Sequence, residues 1–514
     1  MSSLDLSDED LELIVSELED FQLTHGSLLK IPRGFSADID SPVAVARPIG
    51  ISVIPTPFPR AHFDQALQIQ TVFNELYIRV AEDKVWLERI LENLRGTDDF
   101  AAKLWDIWVR VRAEGEVQSL RCGIWRSDYM LQANEEIINF QKNGRDDASD
   151  LDVFQGAQLK QVEFNTFSCA GGSHATVVSE AHRYLASRGT HRLANLTKEC
   201  LPKNIALKSI VEILEKAHRA YGPPVSDAKQ TAVLMTVQGR NVNICDERPI
   251  EYAMSELDYP IPFYRVSFNE VLKHCTLGRN RQLLFQSSPR SPPLEISVVY
   301  HRAGYDEDEY DSGGIEARYL LERSRAIKCP TILSHISGFK KIQQELTRPG
   351  VLERYLPPEK CSLLRKTFML IHPLDASPEG LMTRKVALSE DKAGDYVLKP
   401  NLEGGSNNVY GDDIPEFLSQ VDMQQTWDSY ILMQKINAPL VGGVLISSVS
   451  GYQGPTVSEL GVLGTCIWRR DDLGQGLEVL ENSQSGWTFK TKPCDVEEMS
   501  VVKGYGCFDC PCLI

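Results

Sequence analysis

The chain has 514 residues, 42% apolar and 24% charged, a size and balance that suit a soluble globular protein of two or three domains. Its formal net charge of −17 and isoelectric point near 5.2 argue against non-specific binding to nucleic acid, which rewards basic patches. No apolar run approaches a membrane span, and the first ten residues are acidic where a secretory signal needs a basic start. The expected location is therefore cytoplasmic, with neither a membrane nor nucleic acid as partner.

Residues 7–25 open with Ser7 as a cap and place Leu11, Leu13, Ile14, Leu18 and Phe21 at helical spacing. Residues 33–60 are Pro-rich and lack a period. Spacings of three and four return over 63–96 and 100–114, with Trp86, Ile90, Leu94, Leu104, Trp105 and Trp108, so the N-terminal fifth is predicted mostly helical. From about 159 a strand runs into the Gly-containing loop 171–173, and helices are expected at 174–187 and 205–220. The short apolar runs 231–238, 262–267 and 295–300, separated by helix-like segments, predict a small parallel α/β sheet. Helices are expected at 315–329 and 340–356, strands of a second sheet at 396–399, 430–434, 442–449 and 456–468, and a polar break at 470–487.

The twelve Cys are scattered singly except at the end, where Cys507, Cys510 and Cys512 crowd the last eight residues. A C-x-x-C spacing can bind zinc, but a structural site takes four ligands and no second pair or His adjoins it. Prenylation needs a Cys four from the end, where Pro511 stands.

Residues 396–410 hold the most informative pattern, a strand-like run ending in Lys399 and opening into a loop with Gly404, Gly405, Ser406, Asn407 and Asn408. Lys399 can place a charge on phosphate, the glycines let backbone N–H groups approach anions, and Glu403 can hold Mg2+. It is neither the Walker pattern nor a dinucleotide fingerprint, and plain turn chemistry reads the same way. Glu163 and Asn165, two apart on a strand, share a face and can hold one cation, or form the polar face of an edge strand. Arg126 suits bidentate capture of a substrate carboxylate, or pairs with Asp128. Lys340 and Lys341 begin a helix and could face an anion or solvent. Residues 429–436 could line an adenine pocket or form a core strand. Glu459 and the run Lys490-Thr491-Lys492 add an acid and two cations, or surface charge beside a turn.

In this order the segments resemble eukaryotic glutathione synthetase, a homodimeric ATP-grasp family. The matching stretches are 126–130, 162–166, 316–324, 340–346 with 348–350, 397–410, 430–433 and 458–461. The resemblance implies an α/β chain with an ATP-grasp fold, an inserted small parallel α/β substrate domain and a helical N-terminal region. The expected division is 1–225, 226–335 and 336–514. It implies an ATP-dependent ligase in which a carboxylate takes the γ-phosphate to form an acyl phosphate, and an amine displaces phosphate to give an amide. The implied Mg2+ ligands are Glu163, Asn165 and Glu403. ATP contacts fall on Lys340, Lys399, the loop Gly404 to Asn408, Tyr410, Met433, Gln434, Lys435, Ile436, Glu459 and Lys492. Arg126 and Lys490 take the catalytic positions, and the acid and amine substrates fall to them and to Met130, Ser168, Gln238, Arg302, Gly304, Tyr305, Val501 and Val502.

Several substrate positions depart from the family pattern. Ser-x-Ser becomes Ser168-Cys169-Ala170, Lys-Pro-Gln-Arg-Glu becomes Lys399-Pro400-Asn401-Leu402-Glu403, and Arg-Thr-Lys becomes Lys490-Thr491-Lys492. The small-residue loop becomes the bulkier 499–506, which carries Lys503. A γ-glutamylcysteine-like acid joined to glycine or a related amine is the expected reaction. Altered substrates, or nucleotide binding without ligation, stay open as alternatives.

Overall fold

The computed structural model describes residues 7–31, 45–142, 152–190, 196–401, 407–420, 426–447, 450–471 and 476–514. It is a mixed α/β fold with helices packed on several sheets. Among the described residues no helix is long and apolar enough to cross a membrane.

The first helix, Asp8–His25, starts with a capping box between Ser7 and Asp10 and stops at Gly26, whose φ of 77° suits a residue without Cβ. Ile14 and Leu18 are buried, but Leu13, one step round the helix from Ile14, is 54% exposed. The helical pattern of 63–96 is two helices, Arg60–Glu82 and Lys84–Leu94. Asp83 divides them, because its carboxylate accepts from the Trp86 N–H at 3.0 Å and starts the second. With Asp99–Glu114 they bury Phe73, Tyr77, Trp86, Trp105 and Trp108 in the main core.

A seven-stranded sheet forms the centre, in the order Val441–Ile446, Ile51–Ser52, Cys507–Phe508, Leu477–Pro493, Gly451–Arg470, Leu120–Gln132 and Gln158–Asn165. Val441–Ile446 also pairs with Gly451–Arg470, so five of these strands close on themselves. A second sheet sets Thr231–Val237, Phe263–Ser267 and Leu294–His301 parallel, as the short apolar runs predict, and adds Ile327–Cys329 parallel to Leu294–His301. It gains two short antiparallel strands, Cys275–Leu277 and Leu283–Phe285. A third sheet joins Ile371–Pro373, Tyr430–Gln434, Tyr396–Pro400 and Val409–Tyr410, all antiparallel.

Several expectations are corrected here. The strands expected to share one sheet divide, with 396–400 and 430–434 in the third and 441–446 and 451–470 in the first. The expected polar break 470–487 largely belongs to the long strand Leu477–Pro493, half of a hairpin whose outer end is exposed at Glu478, Val479 and Leu480. The helix expected at 315–329 ends at Glu322, and its last residues form the buried strand Ile327–Cys329. The one at 340–356 stops at Thr347, before Pro349, which cannot continue it. Parts of the Pro-rich segment are strands, Val45–Pro48 paired to the nearby Leu28–Ile31, and Ile51–Ser52 and Pro57–Phe58 paired to distant chain.

Candidate active site

The strands Leu120–Gln132 and Gln158–Asn165 run antiparallel with Arg126 opposite Asn165 and Asp128 opposite Glu163. Alternation puts all four side chains on one face, and facing carboxylates would repel. Each is matched by a cation. Arg126 donates to Asp128 through Nε at 2.6 Å and Nη2 at 2.7 Å, while its Nη1 donates to the Ala170 carbonyl at 3.1 Å. Burial works against the guanidinium charge, but Asp128 outweighs it and holds the group well above its ordinary range. Of the two roles open to Arg126, the pair with Asp128 is present, and the side chain also lines the central cavity.

Glu163 forms an ion pair with Lys340 at 3.1 Å. Burial pushes its carboxyl up, yet Lys340 and Lys399 together outweigh that and hold it well below the usual carboxylate range. Lys399 leaves the strand Tyr396–Pro400 and donates to the Val162 carbonyl at 3.1 Å. Its burial, with Lys340 beside it, lowers its ammonium despite the attraction of Glu163. Lys341 turns the other way, donating to Gln344 at 2.9 Å and Asp375 at 3.2 Å.

The Asn165 amide N–H group donates to Glu163 and Asp128, both at 2.9 Å, which turns its Oδ1 away from them. Glu163 and Asn165 are hard oxygen donors of the kind that suit Mg2+ keeping several waters and phosphate oxygens. Glu403, the expected third ligand, lies outside the described residues with Gly404, Gly405 and Ser406. Among the described residues no group of three or more His, Cys, Asp or Glu is placed to hold a metal, the Cys-rich end included.

These residues line a cavity of about 820 Å³, large enough for a nucleotide with a small acid. Met433, Gln434, Lys435 and Ile436 lie on its wall, with Met433 in an apolar cluster with Met369, Ile371 and Ile431 and Ile436 packed against it. The Gln434 and Lys435 N–H groups are spent on the Leu370 and Asp395 carbonyls, at 2.9 and 2.8 Å. Asn407, Asn408 and Tyr410 also line it, and Asn408 donates to the Tyr410 hydroxyl at 3.4 Å.

Glu459 and Lys490 are cross-strand partners in the long hairpin and form an ion pair at 2.5 Å. Burial raises the Glu459 carboxyl against the pull of Lys490, and Asp128 adds to the rise. Lys492, two pairs further along, donates to the Val496 and Glu497 carbonyls of the loop that brings Val501 and Val502 to the cavity.

Arg302, Tyr305, Gln238, Met130 and Ser168 complete the expected lining. Arg302 donates to Asp246 at 2.8 Å, and Asp246 also accepts the Gly171 and Ser173 N–H groups at the start of the helix Gly172–Arg188. The Arg302 Nε is buried without a hydrogen-bond partner. Ser168 sits at φ 50°, a left-handed conformation that costs a residue with a Cβ and marks a constrained loop. Gly304 does not line the cavity. Its N–H goes to Glu309 at 3.0 Å and its carbonyl accepts from Tyr310 at 2.7 Å.

Asn401 is buried in the frame behind the cavity. It accepts from the Lys341 N–H at 3.0 Å and donates to Asp98 at 3.0 Å, so it anchors the helix Lys340–Thr347 rather than facing phosphate. Asn241, Asn243, Glu247, Thr488, Glu497 and Glu498 line the cavity without having been foreseen. Asp128 also lines it, a residue the sequence offered only as a partner for Arg126. Glu247 reads as ordinary surface charge on a helix until the fold buries it.

A family model described as eukaryotic glutathione synthase, ATP binding domain, matches residues 8–513. The glutathione synthetase large chain of Schizosaccharomyces pombe is 34% identical over 479 residues, covering 90% of this chain and 90% of its own. The glutathione synthetase of Mus musculus is 33% identical over 512 residues, covering 98% of each. A solved structure of a glutathione synthetase like-effector from Globodera pallida in apoform superposes with a TM-score of 0.72, at 19% identity and over 100% of this chain and 99% of that one, a likeness of fold alone. By the extent of these matches, the chain belongs to the eukaryotic glutathione synthase family.

Proposed function

We propose that the chain is an ATP-dependent carboxylate–amine ligase of ATP-grasp architecture. It joins γ-glutamylcysteine, or a closely related acid, to glycine or a related amine through an acyl phosphate. The observation that carries this reading is the convergence of Lys340 and Lys399 on Glu163, in the same cavity that Arg126 and Arg302 line. Family membership supports it over the full length.

ATP would supply the γ-phosphoryl group that activates the acid, with Mg2+ at Glu163, Asn165 and Glu403 neutralising phosphate oxygens. Lys340 and Lys399 exchange Glu163 for phosphate, and Met433 and Ile436 offer an apolar face to the purine. Asn407, Asn408, Tyr410, Gln434, Lys435, Glu459 and Lys492 belong to the same nucleotide region. Arg126, held rigid by Asp128, and Arg302, held by Asp246, orient the acid beside Met130, Ser168, Gln238 and Tyr305. Lys490 with Val501 and Val502 serves the amine side, and a closed loop there keeps water from the activated acid. The reading includes the division 1–225, 226–335 and 336–514, a homodimer and a cytoplasmic location, all carried over from the resemblance and the sequence.

ADP release measured with γ-glutamylcysteine plus glycine, then with a panel of acids and amines, tests it. Turnover with the first pair or a near analogue is expected. ATP binding with no ADP release from any pair overturns it.

A further inference from the structure

The Cys-rich C-terminus lies apart from the nucleotide region, and its last thiol has a partner far away in sequence. Cys512 belongs to the strand Cys512–Leu513, which pairs in parallel with Pro57–Phe58. Its Sγ stands 3.2 Å from the Sγ of Cys200. The Leu513 N–H donates to the Cys200 carbonyl at 2.8 Å, which pins the two backbones side by side. Both cysteines are free thiols, Cys200 half-buried and Cys512 buried. A disulfide needs sulfurs about 2.05 Å apart, so closure takes a side-chain movement of about 1 Å. The neighbouring thiols have no such geometry. Cys510 is fully buried, and Cys507 faces the Ile446 carbonyl at 3.4 Å.

We propose that Cys200 and Cys512 form a reversible disulfide by exchange with a low-molecular-weight disulfide, fastening the C-terminal strand to the segment that precedes the helix Ala206–Tyr221. The half-buried Cys200 reacts first. Its thiolate, having given its proton to solvent, attacks one sulfur of the small disulfide, whose S–S bond breaks and releases one small thiolate. The Cys512 thiolate, its proton likewise lost, then attacks the Cys200 sulfur and expels the second small thiolate. Two protein thiols are oxidised and one small disulfide is reduced to two thiols, the released protons returning to the leaving groups.

The clamp acts on chain that runs beneath the active site. Between Cys512 and the cavity, the Asp509 carboxylate accepts from the Thr56 and Thr491 hydroxyls at 2.6 and 2.7 Å. Phe508 pairs opposite Lys490 and lines the cavity. Oxidation therefore secures the strand that backs Lys490, and it does so by closing a long loop of chain, which restricts the unfolded state.

The test uses the full reduced chain, incubated with oxidised glutathione at neutral pH, blocked with N-ethylmaleimide, digested and mapped by mass spectrometry. A peptide pair joining Cys200 to Cys512, split by dithiothreitol, is expected, together with a rise of a few degrees in the unfolding midpoint that dithiothreitol reverses. In Cys512→Ser, glutathione stays on Cys200 and the midpoint does not rise. Full alkylation of Cys200, or a lasting glutathione adduct on Cys200 in the unsubstituted chain, overturns the pairing. A linked pair with an unmoved midpoint overturns the clamp. The mapping of the unsubstituted chain needs no variant to fold.

Discussion

Replacing Glu163 by Gln separates what this carboxylate does for the empty protein from what it does for the reaction. It pairs with Lys340 at 3.1 Å and faces Lys399, and both lysines are almost sealed from solvent, at 4% and 5% exposure. A neutral amide removes the carboxylate that pairs with Lys340 and attracts Lys399, a loss of roughly 3 kcal/mol for breaking one side of a buried pair. At about 2 cal/mol/K of unfolding entropy per residue, a chain of 514 residues converts that into a fall of about 3 °C in the unfolding midpoint without nucleotide. Because the folded carboxyl sits below its ordinary range, its contribution is complete above the unfolded carboxyl's pKa and disappears as pH falls through the folded one. The gap between the two proteins is therefore constant around neutrality and closes only in acid. The same substitution releases both lysines for a triphosphate, so ATP without Mg2+ raises the midpoint more in the variant than in the parent. ADP release nonetheless drops about 100-fold or more, as when one preorganised electrostatic contact is lost. Scanning fluorimetry with and without ATP, beside a coupled ADP assay, measures all three. Full turnover in the variant, or a smaller ATP-induced shift than in the parent, would refute the reasoning.

Arg126→Lys keeps the charge but not the paired bonds to Asp128; KM for the acid should rise about 10- to 100-fold with the ATP-induced midpoint shift unchanged, and steady-state kinetics beside fluorimetry reads both. Asn401→Ala removes the acceptor for the Lys341 N–H and the donor to Asp98; it should cost about 2 kcal/mol of stability and leave the Kd for ATP alone, whereas weakened ATP binding at full stability would count against this framework role. Burial pushes Asp509 up from 3.8 to about 6. A raised carboxyl costs stability as pH climbs through that value, so Asp509→Asn should gain on the parent between pH 4 and 6.5 in urea titrations, and a constant difference across that window counts against it.

The sequence exposed short-range patterns far better than long-range pairing. Ser7 and Gly26 bound the first helix because capping is a local matter, and the parallel strands 231–237 and 294–301 read as apolar runs because both faces are covered. The hairpin strand Leu477–Pro493 did not, since its outer half is largely solvated and carries no alternating apolar pattern. Short strands such as Ile51–Ser52 exist only through partners hundreds of residues away. The site followed the same division. Lys399, Glu163 and Arg126 stood out by spacing and family pattern, while Glu247, Asn243 and Thr488 reach the cavity only through tertiary folding.

What no spacing conveys is that the cavity neutralises itself. Arg126 pairs with Asp128, Arg302 with Asp246, Lys340 with Glu163 and Lys490 with Glu459. Four buried cations without partners would be prohibitively costly in the empty protein, and four carboxylates alone would repel a triphosphate. Pairing lets the charges be buried at modest cost and sets a threshold for occupancy, because an incoming anion gains only the difference between its own contacts and those of the carboxylate it displaces. A phosphate that also brings a cation to the released Glu163 recovers that carboxylate's lost partner, whereas a bare anion does not. Nucleotide binding in such a site is therefore expected to depend on a divalent cation, through Glu163 more than through bulk charge, and to lose that dependence when Glu163 is made neutral.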